Sequence, residues 1–115
     1  MILAAFAPLY QNTTPGFLTS LTVAGGTGSA TSGTLPTIPG TGAARSPQLQ
    51  IANLSTGWAY VNVGPSTVAA ATVAASYPVP PGAMVIISID PNVTTVSVIM
   101  GTAAGNVIFT LGEGT

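Results

Sequence analysis

Residues 83–111 read AMVIISI, DPN, VTTVSVIM, GTAAG and NVIFTL: three runs rich in Val, Ile, Met and Phe, parted by short breaks. β-Branched side chains lose χ1 freedom in a helix and pack well on a pleated surface, so each run reads as a strand. Asp90-Pro91-Asn92 and the Gly/Ala-rich break at 101–105 are turn formers. The whole stretch is expected to be a three-stranded meander.

Alternation assigns the faces. In the first run Val85, Ile87 and Ile89 oppose Met84 and Ile86, and in the second Val96, Val98 and Met100 oppose Thr95 and Ser97. In the third, Val107, Phe109 and Leu111 oppose Asn106 and Thr110. A strand apolar on both faces is usually covered on both sides. One cover for the first run is the core; the other, over Met84 and Ile86, fits an intersubunit contact.

Upstream, 48–54 (QLQIANL) places Leu49 and Ile51 inward and Gln48 and Gln50 outward. A turn at Ser55-Thr56-Gly57 leads to a returning strand, 58–63 (WAYVNV), with Ala59, Val61 and Val63 opposite Trp58, Tyr60 and Asn62. Residues 67–76 (TVAAATVAAS) fit a short strand or an irregular loop better than a helix, given the β pattern on both sides. Residues 17–23 alternate as a half-buried strand, and 1–10 fit a strand broken at Pro8 that suits a sheet edge or an arm laid on a neighbour.

From 24 to 47 apolar periodicity vanishes and Gly, Ser, Thr and Pro dominate. Leu35 and Ile38 are its only large apolar residues, so it is expected to be an extended arm ordering against a neighbour, or else a flexible linker. The fold class that follows is all-β: one domain over 1–115, an antiparallel β-sandwich of seven or eight strands, jelly-roll or immunoglobulin-like, with 48–114 its best-defined core.

Charge narrows the kind of task. Among 115 residues only Arg45, Asp90 and Glu113 carry formal charge, 3% of the chain, against about 25% in ordinary soluble proteins. Hydrophobic residues make up 47% and the mean hydropathy is +0.63. A monomer usually keeps itself soluble with a charged, patch-free surface. This surface must consist of hydroxyls, amides, glycines and apolar atoms, which fits burial by a partner or by copies of itself; the alternative is a monomer with a hydroxyl-rich skin. Disorder goes with low hydrophobicity and high charge and is not expected. Nor is a membrane partner, since apolar runs are too short and interrupted to span. The apolar start, MILAAFAP, lacks the basic flank of a signal peptide.

Catalytic chemistry finds little to work with. The chain has no histidine and no cysteine, which removes the common transition-metal ligands. Asp90 and Glu113 are the one possible acid/base pair, but Asp90 opens an Asp-Pro-Asn turn and Glu113 lies in a Gly-Glu-Gly tail. Gly25-Gly26-Thr27-Gly28 lacks the lysine of a phosphate loop, and one arginine cannot supply a nucleic-acid footprint. Asn12, Asn53 and Asn92 begin glycosylation-acceptor patterns, which a chain rich in Ser and Thr produces by chance. Trp58 and Tyr60, two apart on one face, fit interface packing, or a platform for a sugar ring in an extracellular carbohydrate-binding module. The expectation is therefore no enzyme and no cofactor. The candidate interface residues are Trp58, Tyr60, Met84, Ile86, Leu35 and Ile38.

Leu49-Gln50-Ile51-Ala52-Asn53, Ala59-Tyr60-Val61-Asn62-Val63-Gly64, Val79-Pro80-Pro81-Gly82-Ala83 and the closing Thr110-Leu111-Gly112-Glu113-Gly114 together resemble small virion proteins of tailed bacteriophages. The resemblance spans roughly residues 48–114 and leaves 24–47 outside. It implies a β-sandwich structural protein of the particle, a capsid cement or decoration protein, with a neck, tail or head-fibre component as the alternative. It further implies a virion protein assembled in the host cytoplasm, whose partners are the major capsid protein or other virion subunits and copies of itself.

Overall fold

The computed structural model describes residues 6–8, 20–36, 47–90 and 92–114. Among these residues nine strands run in chain order: β1 (Phe6–Pro8), β2 (Ser20–Gly25), β3 (Thr31–Thr34), β4 (Pro47–Asn53), β5 (Ala59–Gly64), β6 (Tyr77–Val79), β7 (Met84–Ser88), β8 (Thr95–Met100) and β9 (Gly105–Gly114). There is no helix among the described residues. One sheet runs β9-β4-β7, with β1 and β2 both laid along the far edge of β9; the other runs β3-β8-β5-β6.

Every pairing is antiparallel, and the pairings nest: β2 with β9, β3 with β8, β4 with β7, β5 with β6. Two further pairings, β4 with β9 and β5 with β8, knit the nested pairs into two sheets. This nesting of eight strands is the jelly-roll arrangement. An immunoglobulin sandwich sets several chain neighbours side by side in one sheet; here, among the described strands, β5 and β6 are the only consecutive ones that pair.

The core lies between the sheets, and alternation placed its residues correctly. Leu49 and Ile51 from β4, Val96, Val98 and Met100 from β8, and Val107 and Phe109 from β9 are fully buried. Burying one such side chain stabilises the fold by about 1.5–3 kcal/mol, so these residues dominate the favourable side of folding.

Three expectations are corrected. Residues 83–111 do form three strands, but not a meander: β7 and β9 belong to one sheet and β8 to the other. Likewise 58–63 does not return beside 48–54, because β4 and β5 lie in opposite sheets. The reason is common to both. Alternation fixes which side chains point inward and is silent on neighbours, and even four linking residues reach about 13 Å, enough to cross the ~10 Å between sheets. Third, residues 24–36 are not part of a loop devoid of structure. β2 extends through Gly25, β3 pairs with β8, and Leu35 is 5% exposed within the core. The remaining stretch, 37–46, lies outside the described residues, as do 1–5 and 9–19. Residues 67–76 are irregular apart from a turn at 73–75.

Candidate interaction surface

Four of the candidate residues, Met84, Ile86, Trp58 and Tyr60, fall on two opposite faces. On the outer side of the β9-β4-β7 sheet the register sets Thr22, Ile108, Ala52 and Met84 in one row. Ser20, Thr110, Gln50 and Ile86 form the next, closed at one end by a 2.8 Å hydrogen bond between the Ser20 and Thr110 hydroxyls. No charged side chain stands in either row. Met84 is 61% and Ile86 39% exposed, and both sit on β7, which ends the sheet. Leu54, just past β4, continues its outward parity and is 63% exposed. The result is an uncharged surface, apolar toward its β7 edge.

The second face is the outer side of the β3-β8-β5-β6 sheet. Trp58 is 45% exposed and precedes β5, where Tyr60 is half-buried between Pro78 and Ile99 on the flanking strands. The other half of this face is roofed by the loop joining β5 to β6. Asn62 Nδ2 donates to the Ala69 carbonyl at 2.9 Å, and the Ala71 amide donates to the buried Ser97 hydroxyl at 2.9 Å. Between β3, β8 and this loop lies a hollow of about 250 Å³, lined by the hydroxyl residues Ser32, Ser66, Thr67, Thr95 and Ser97 with small apolar residues between them.

Leu35 does not join either face. Leu35 is a core residue and is not available to a partner from outside. Its placement corrects the expectation, because the hydrogen bond from its amide to the Thr94 carbonyl (2.8 Å) fixes the end of β3 beside the connection into β8. Ile38 lies outside the described residues. Sequence reasoning missed Leu54, Val73 and Tyr77, all exposed. Parity could have found Leu54, since it follows Gln48, Gln50 and Ala52 on the outward side of the same run.

Of the two carboxylates, the Asp90 side chain is engaged in its own turn. Asp90 Oδ1 accepts the Asn92 amide at 2.8 Å, the turn-capping role its Asp-Pro-Asn context suggests. The Glu113 backbone is registered opposite Pro47. Asn53 is 1% exposed with its amide nitrogen donating inside the fold, so the acceptor pattern it begins is closed to glycosylation in the folded chain. Asn92 is exposed, and Asn12 lies outside the described residues. No family model, curated protein or solved structure matches the chain.

Proposed function

We propose that this chain is a structural subunit of a virus particle, a jelly-roll protein that stabilises a shell by covering and linking its neighbours. The observation that carries the reading is the β7 margin, where Met84, Ile86 and nearby Leu54 are exposed without a charged side chain among them. Free-standing proteins blunt such margins with lysine, proline or an inward charge. Among the described residues this margin is left bare, and in a chain with 3% charge that favours its being covered by another surface. Jelly rolls are a common architecture of viral capsid domains, which favours the same direction by analogy of fold. The finer assignment, a cement or decoration protein of a tailed bacteriophage in contact with the major capsid protein, rests on the resemblance of residues 48–114.

Mass spectrometry of purified particles from the same source tests this. Many copies of the chain per particle are expected, and its absence from particles would overturn the proposal.

A second reading draws support from Trp58. An indole 45% exposed beside Tyr60, on the face that also carries the hydroxyl-lined hollow, suits a platform for a neutral sugar. Saturable binding on a glycan array, lost in Trp58→Ala, would favour a carbohydrate-binding module; no binding would leave the aromatic pair as interface packing.

A further inference from the structure

The backbone of β7 is as informative as its side chains. The Ile89 amide donates to the Pro47 carbonyl at 3.1 Å, and the Asn53 amide donates to the Ala83 carbonyl at 2.9 Å. In an antiparallel ladder these bonds recur at every second residue. The groups of Ala83, Val85, Ile87 and Ile89 therefore face β4, and the N–H and C=O groups of Met84, Ile86 and Ser88 face away from it. No described strand lies on that side. The other edges are interrupted: β1 contains Pro8, β2 Gly25, β3 Gly33 and β6 Pro78. Among the described edge strands β7 alone has neither proline nor glycine, and it has no charge.

From this we propose that β7 is a strand-addition edge whose occupant is β7 of a second copy, antiparallel about a two-fold axis at Ile86. The edge is self-complementary in that register. Ile86 faces Ile86 of the second copy and Met84 faces Ser88, so every outward backbone group finds a partner. Electrostatics permits it as well: Asp90 of each copy lies opposite Gly82 of the other, and no like charges meet. Gly82, at φ +70°, turns the chain away before β7 and sets the length of the pairing. The two sheets would merge into one sheet across the dimer, with Met84 and Ile86 of both copies on its outer side. This proposal deepens the assembly reading and rests on it.

Because the Ile86 N–H points to the open edge, Ile86→Pro removes a donor to the second copy and none to β4. Proline is tolerated at edge positions of that kind. The expected result in sedimentation velocity is a dimer for the native chain and self-association about ten- to hundredfold weaker for Ile86→Pro, with the thermal midpoints of the two converging at concentrations low enough for both to be monomeric. Ile86→Lys, which sets two like charges face to face, is expected to give the same loss and serves if the proline variant does not fold. The chain has no cysteine, so Ile86→Cys adds a lone thiol. A short bismaleimide should link two such chains, whose Cα atoms at this position lie about 5.5 Å apart, and should not link Val73→Cys, placed on the opposite sheet's loop. Undiminished association of Ile86→Pro and Ile86→Lys, or equal cross-linking at Val73, would overturn the β7 pairing while leaving assembly through another face intact. A native chain that stays monomeric at every concentration would overturn the pairing and count against the assembly reading too.

Discussion

Asn53 and Val79 lie in opposite sheets, and the Asn53 amide ties them together. Its Nδ2 donates to the Val79 carbonyl at 3.0 Å and to the Gly57 carbonyl at 2.9 Å, with the Pro80 carbonyl at 3.2 Å. Its Oδ1 accepts the Ser55 amide at 3.0 Å and lies 2.6 Å from the Ser55 hydroxyl. The Asn53 main chain exchanges bonds with Ala83 and Gly82. One side chain thus fixes both the crossing from β4 to β5 and the return from β6 to β7, which holds β7 and its apolar margin in place.

Removing that amide should be costly. Asn53→Ala strands buried carbonyls and the Ser55 amide, each worth about 1–3 kcal/mol when left unsatisfied. Urea unfolding should show a loss of about 3 kcal/mol or more. Asn53→Asp should be at least as severe, since a carboxylate would face carbonyl oxygens in a buried setting. An unchanged midpoint for either variant would show that the corner is held by other contacts.

Gly105 starts β9 directly against Ser55, and a Cβ there would overlap the Ser55 side chain. Gly105→Ala is expected to destabilise by about 1–3 kcal/mol through overpacking. Gly28, with open space around it, is the control, and Gly28→Ala should be close to neutral. Equal effects at the two positions would contradict the close approach.

Ser97 accepts the Ala71 amide, and both residues are buried. In Ser97→Ala that amide loses its acceptor, so the roof over the hydroxyl-lined hollow should loosen before the sandwich does. Hydrogen exchange should rise in residues 66–75, with the amides of β8 still protected. Protection unchanged in the loop would show that the Asn62–Ala69 bond alone secures it.

Much of the interior is legible in alternation. Leu49, Ile51 and Asn53 share one parity, and the same pattern that buries the first two requires Asn53 to be buried and hydrogen-bonded. Met84 and Ile86 stand out because their strand is apolar on both faces. The nested pairing is not legible, since it depends on which distant strands meet. For the same reason no local pattern reveals that Trp58 and Tyr60 lie on the opposite face from Met84 and Ile86. Leu35 was hidden by its surroundings: a single leucine among Gly, Ser, Thr and Pro has no periodicity to mark it, yet a four-residue strand suffices to carry it into the core.

With so few charges, association should depend on apolar burial and backbone hydrogen bonds. Salt screens exposed charges over about 10 Å at 0.1 M and acts weakly on such contacts. Particles carrying the chain should therefore retain it from low to molar salt. Occupancy that falls in step with ionic strength would point to charged contacts supplied by the partner.

The most direct measurement is sedimentation velocity of the purified chain over a hundredfold range of concentration, at low and at molar salt. If the proposed reading holds, a chain with so few charges and an apolar margin should associate as concentration rises, to the same extent at both salt levels. A single monomeric species, soluble at the highest concentration in both, would contradict the claim that this surface exists to be buried.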